Sequence, residues 1–133
     1  MLYTVNTDSN NYVISIAHTV HDNIEIDLSL IDVNYLNAYK LINDVLTLDE
    51  ARKEEIIIEN EQLAKQLRID ELKKYLTDTD YIMAKMVEEI MALNNPITFI
   101  ADVIKIFVAY ATKYTKELEE RKHARTEIEE LEK

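Results

Sequence analysis

The 133-residue chain has no glycine, no cysteine, no tryptophan and a single proline. Each absence removes a class of function. Glycine takes φ > 0 without steric cost, and phosphate-cradling loops and nucleophile elbows depend on it. A Walker-type loop and a dinucleotide-binding fingerprint are therefore excluded. Without cysteine there is no disulfide, no thiol nucleophile and no Cys-based zinc site. The opening MLYTVNTDSNN has neither a basic start nor a long apolar core, so no signal peptide is expected.

What is present points to a folded chain. A hydrophobic content of 47% is enough for a core, in one domain or in a small domain with a helical appendage. The net charge of −11 is uneven. Residues 1–48 carry six carboxylates against one base, Lys40, a net of −5. Lysine and arginine neutralising phosphates dominate nucleic-acid affinity, so direct DNA or RNA binding is not expected. An acidic face suits a basic protein surface or an imitation of DNA, and solubility alone also explains it.

The first third reads as β-rich. LYTVN (2–6) and YVISI (12–16) are β-branched and aromatic runs separated by the turn formers TDSNN, the pattern of a hairpin. Ile24-Glu25-Ile26 alternates and could pair next, and residues 30–38 suit a short helix. AYKLIND followed by VLTL predicts a second hairpin with Asn43-Asp44 as its two-residue turn.

Thr47-Leu48-Asp49-Glu50 fits a capping box, with Thr47 as the cap of a long helix. Ile56, Leu63 and Leu67 share one face of it and Ile69, Leu72 and Leu76 another, so its partner surface changes or it bends. Asn94-Asn95-Pro96 is the clearest break. Asn95 as cap and Pro96 as first helical residue predict a second long helix from about 96. Along it Ile97, Ile100, Ile104, Phe107, Ala111, Tyr114, Leu118, Arg121, Arg125 and Ile128 alternate steps of three and four, a heptad seam. Antiparallel pairing across the Asn-Asn-Pro turn is the economical arrangement. ITFIADVIKIFVAYA (97–111) is apolar nearly all round but too short, and with Asp102 and Lys105 too charged, for a membrane span. Such a stretch favours self-association or a partner.

Each candidate site in the sequence has a plain structural alternative. A calcium-loop template started at Asp78 finds Asp80 and Glu89 in register, but Ile82 and Met83 stand where an oxygen ligand and a turn-making glycine are required. Asp78, Thr79 and Asp80 are instead read as a helix cap or kink. His18 and His21 form H-x-x-H beside Asp22, without a third ligand nearby, and read as a surface pair. His123 lies in a charged helical tail and reads as solvated. Tyr75, Tyr110 and Tyr114 sit at helical spacing and suit packing at interfaces. Arg121 and Arg125 are the polar entries in the seam, suited to pairing with Glu from a neighbouring helix and setting register. No nucleophile, base and oxyanion donor come together, so no enzyme, cofactor or metal is expected.

The order of motifs adds a resemblance. Ala38-Tyr39-Lys40-Leu41, Leu48-Asp49-Glu50, Glu71-Leu72, Leu76, Thr79-Asp80-Tyr81, then Arg121, Arg125, Ile128, Leu131 and Glu132 fall in sequence. In this the chain resembles the small proteins encoded beside tail-fibre genes in tailed phages and phage-tail-like particles, similar in architecture to tail fibre assembly proteins. It departs from them in having Asn43-Asp44 where Asn-Gly or Asp-Gly is usual, and in a longer apolar insertion at about 88–112. The resemblance implies a non-enzymatic protein of tail or fibre morphogenesis, either an assembly chaperone or a part retained in the particle. It would bind a tail fibre or baseplate protein and work in the host cytoplasm during assembly. An acidic DNA-mimic inhibitor is the rival from a different class.

The expected fold is α+β and mostly α. A small acidic β-rich module (1–48) precedes a long antiparallel helical hairpin with coiled-coil-like seams (49–133). Its helices run over about 49–93, with a break at 77–80, and 96–131. The seam of the second helix is expected to make a homo-oligomer.

Overall fold

A computed structural model of the chain describes residues 2–18 and 24–133. With 64% of residues helical and 17% in strands, the fold is α+β and mostly α, small antiparallel sheets preceding the helices. It divides into two compact units, Met1–Leu63 and Ala64–Lys133.

In the first unit, β1 (Leu2–Thr7) and β2 (Val13–His18) form the expected hairpin, with Val5 opposite Ile16. Its turn is built by Asp8, whose Oδ1 accepts the N–H groups of Asn10 and Tyr12 at 2.8 and 2.9 Å. Asn11 takes φ 65°, a left-handed value that Asn tolerates better than most residues. β3 (Ile24–Glu25) pairs with the other side of β1, giving the order β2-β1-β3. Two 3-10 helices follow, Leu28–Leu30 and Val33–Ala38, started by the carboxylates of Asp27 and Asp32. The short helix expected over 30–38 is thus two tighter turns.

β4 (Tyr39–Ile42) and β5 (Val45–Leu48) form the second hairpin. Asn43 (φ 50°) and Asp44 (φ 61°) both take left-handed values, as a type I′ turn requires. A bridge between Tyr12 and Lys40, with the Leu41 N–H donating to Asn11 O at 2.9 Å, seats β4 beside the start of β2. Val13, Ile26, Ala38 and Tyr39 are buried here, and the Tyr39 hydroxyl accepts the Asp32 N–H.

Helix α1 (Glu50–Asp78) contributes to both units. Its start corrects the capping-box reading. Thr47 lies in β5 opposite Lys40, and the cap is Asp49, whose Oδ1 accepts the Arg52 N–H at 3.2 Å. Asp49 is held on two further sides. Its N–H donates to Ala38 O at 2.8 Å, and its Oδ2 accepts from the Tyr12 hydroxyl at 2.7 Å. A residue fixed by both a strand end and a turn outcompetes a threonine whose backbone belongs to a sheet ladder.

The second unit holds the rest of α1, then α2 (Tyr81–Met91), α3 (Phe99–Lys113) and α4 (Thr115–Leu131). The helix break expected at Asp78–Asp80 is present. The second long helix differs from expectation twice. Asn95 caps a turn, accepting the Ile97 N–H at 3.0 Å, and Pro96 opens that turn, but the helix begins only at Phe99. It is then interrupted at Tyr114 (φ −116°, ψ 27°). Thr112 and Thr115 donate their hydroxyls to backbone carbonyls of the preceding turn there, a competition that bends helices. Each arm of the hairpin is therefore broken once.

Arg68–Glu127 and Tyr75–Glu120 pair in opposite chain order, so α4 returns antiparallel to the end of α1. Leu72, Ala124 and Ile128 form the core between them, flanked by Tyr75, Leu76 and Leu131. Of the two faces read on α1, the one with Ile69, Leu72 and Leu76 packs, while Leu63 and Leu67 stay exposed.

Candidate protein-binding surfaces

Arg121 is the one charged side chain buried among the described residues, 4% exposed. It completes the end of α1. There the Asp80 N–H turns to Thr77 O rather than Leu76 O, leaving the Leu76 carbonyl without its helical partner. Arg121 Nη1 donates to that carbonyl and to Thr79 Oγ1, and Nη2 reaches Asp80 Oδ1 at 2.6 Å. The Thr79 hydroxyl donates onward to Tyr75 O at 2.8 Å. A cation at a helix C-terminus also meets the negative end of the helix dipole. Thr79 and Asp80 thus mark the break by receiving Arg121. Neither caps α2, which has no side-chain cap at Asp80. Arg125, the second arginine of the predicted seam, is exposed, and Ala124 occupies the buried position beside Arg121.

The predicted oligomerisation seam divides at the Tyr114 break. Beyond it, Tyr114 and Leu118 are half-buried and Ile128 is in the core. Before it, Ile97 (93%), Ile100 (75%), Ile104 (57%) and Phe107 (49%) are exposed, as is Ala111, and no residue of α3 is buried. α2 buries Ile82 and Met86 and leaves Val87 and Met91 open. Ten large apolar side chains between Tyr81 and Val108 are exposed. The charge of this segment is zero, with Glu88, Glu89 and Asp102 against Lys85, Lys105 and Lys113. The whole net charge of −11 therefore lies outside residues 81–113. Sequence reasoning found the apolar stretch but not this neutrality, which the acid and base counts already held.

Where α2 meets α3, Tyr81 stacks edge-on to Tyr114 and Tyr110 tilts against Tyr114. Tyr110 donates its hydroxyl to Glu89 Oε1 at 2.7 Å, and that bond to a carboxylate pushes its pKa up to about 12. Tyr75 makes a similar bond to Glu120 and is raised, first by burial and then by that carboxylate. The carboxyl of Glu127 is held below its ordinary value by the hydrogen bond from Arg68, at 2.7 Å. All these groups serve packing and helix pairing.

A groove of about 340 Å³ runs between the end of α1 and α4, floored by Leu72, Tyr75 and Ala124 and edged by Glu71, Glu120, His123 and Glu127. Its Glu127 is spent on Arg68 and its Glu120 on Tyr75. His18 stacks edge-on to Tyr3, and His21 lies outside the described residues. No group of three or more metal-binding side chains forms among the described residues. No helix among them is long and apolar enough to cross a membrane. No family model, curated protein or solved structure matches the chain.

Proposed function

We propose that the chain is a non-enzymatic, protein-binding component of a phage tail or phage-tail-like particle. It acts at the tail fibre or baseplate, as an assembly factor in the host cytoplasm or as a part kept in the tail. The order of motifs from Ala38 to Glu132 supplies the biological setting. The observation that carries the binding role is the uncovered α2–α3 surface. Apolar area of this extent costs solubility unless something covers it. A standard interface takes about 800 Å² from each partner, and ten exposed large side chains supply an area of that order.

A second copy of the chain is the occupant that fits this surface. Two molecules of charge −11 repel each other wherever their acidic faces meet. Residues 81–113, with balanced charge, can face their own copy without that cost. The acidic first unit is the surface assigned to the fibre or baseplate partner.

Quantitative mass spectrometry of purified tail particles, beside the unassembled lysate, tests the setting. A fixed integer ratio to the fibre protein makes the chain a structural component. Co-purification with fibre protein from lysate, and absence from particles, makes it an assembly factor. Association with no tail protein in either fraction overturns the reading.

A further inference from the structure

Leu41 and Leu46 stand opposite each other across the β4–β5 hairpin. The Leu41 N–H, however, donates to Asn11 O, on the side away from β5. The two residues are therefore a non-hydrogen-bonded pair. The same alternation turns the N–H and C=O of Leu46, and two residues later those of Leu48, away from β4. No strand among the described residues pairs with that edge. The edge is not blunted by a lysine, a proline or a bulge, the usual protections of an open strand.

Beside it lies a cavity of about 210 Å³. Asp44, Val45 and Leu46 line it from β5 and its turn, and Glu25, Ile26 and Asp27 line it from β3 onward. The volume is below the roughly 300–1,000 Å³ of small-molecule sites, and suits side chains of an extended segment. Its ionisable residues are all carboxylates apart from the phenol of Tyr39, and no base lines it. Asp27 is kept ionised by the hydroxyl and N–H of Ser29.

We propose that β5 accepts an extended segment of a partner protein as an added strand, one in which apolar residues alternate with lysine or arginine. The open backbone of Leu46 and Leu48 supplies the ladder. Leu30 and Val45 receive the apolar side chains, and Glu25 and Asp44 meet the bases. A second copy of this chain is the poorer occupant, because residues 1–48 offer one base against six carboxylates. The inference rests on the partner-binding reading above and names the surface that reading uses.

The test uses the full chain and a fluorescein-labelled heptapeptide alternating lysine with valine. One control peptide has alternate backbone nitrogens methylated, which removes ladder donors, and another has glutamate for lysine. Anisotropy should show binding by the lysine peptide, weakened on the order of tenfold or more by methylation or by glutamate. Leu46→Pro, which removes an outward donor while sparing the hairpin, should weaken it similarly. The pair Glu25→Gln and Asp44→Asn should weaken it several-fold and flatten its salt dependence. In the unaltered protein, hydrogen exchange at the Leu46 and Leu48 amides should slow on binding, a readout that does not depend on any variant folding.

Equal binding of the methylated peptide, unchanged exchange at those amides, or no binding of the lysine peptide would each overturn the proposal. Failure of the tail reading is separable from this. Peptide binding without any tail protein co-purifying sinks only the setting, and tail association without strand addition sinks only this surface.

Discussion

Arg121 of α4 reaches across to Asp80 at 2.6 Å, but the two ends of this ion pair are not equivalent: Arg121 is 4% exposed and Asp80 is mostly in solvent. The arginine also satisfies the Leu76 carbonyl and the Thr79 hydroxyl, bonds that Asp80 has no part in. Removing the arginine therefore takes a donor from the Leu76 carbonyl and from the Thr79 hydroxyl as well as from the Asp80 carboxylate. Arg121→Ala should cost about 2–3 kcal/mol through lost packing and lost hydrogen bonds at the helix end, and Asp80→Asn about 1 kcal/mol or less, since an exposed partner is screened and the amide oxygen still accepts. Urea unfolding of both variants checks the order. Equal losses would mean that the ion pair, rather than the capped helix end, is what Arg121 provides.

The break that Arg121 closes was legible in the sequence, and the break at Tyr114 was not. Asp78-Thr79-Asp80 places three short oxygen side chains in a row, a recognisable competitor for helix hydrogen bonds. Around Tyr114 only two threonines, spaced three apart, do the same work among good helix formers. Beyond it the predicted positions Leu118, Arg121 and Ile128 keep their inward side, and only the step between Arg121 and Ile128 is taken differently. The seam that runs through Arg125 on paper runs through Ala124 and Leu131 in space. A small alanine carries little hydrophobic signal, so periodicity passed over it. The hairpins were readable because their turns are spelled out by Asp8, Asn11, Asn43 and Asp44. The open edge of β5 was not, since it depends on which neighbour β4 finds on its far side.

The exposed surface of α3 carries the next prediction. Ile104 and Phe107 are both about half exposed on a helix without a single buried residue. Replacing them with glutamate should leave the fold nearly intact, because neither contributes to a core. It should also place four extra charges across a two-fold interface of two variant chains. Light scattering should then show a fall to the mass of a single chain at micromolar concentration. An unchanged mass, with circular dichroism also unchanged, would refute self-association through this surface.

Tyr110 and Glu89 give a prediction at alkaline pH. The phenol donates to the carboxylate, which raises its folded pKa to about 12, above the ordinary value near 10. A group raised on folding contributes stability below its unfolded pKa and loses it as pH rises through the folded one. The contact between α2 and α3 should accordingly weaken between about pH 10 and pH 12, while the rest of the titration follows the other tyrosines. Near-ultraviolet absorbance should show a late tyrosinate step that vanishes in Tyr110→Phe. The same late step in that variant would assign the shift elsewhere.

Asp49 gives the opposite case on the acid side. Its carboxyl is held below the ordinary value, first by the Tyr12 hydroxyl and then by the Arg52 N–H. The contribution is present above the unfolded pKa and is lost as pH falls through the lower, folded one. Asp49→Ala should remove the start of α1 and the acceptor for Tyr12 together, lowering Tm on the order of 5 °C at neutral pH. Thr47→Ala, at the position that the capping-box pattern selects, should stay within about 0.5 kcal/mol, because an exposed strand hydroxyl caps nothing. Thermal melts of both variants at neutral pH and near pH 3 decide between the two caps. If Thr47→Ala is the more damaging, or if the Asp49→Ala deficit does not shrink in acid, Asp49 is not the residue that starts the helix.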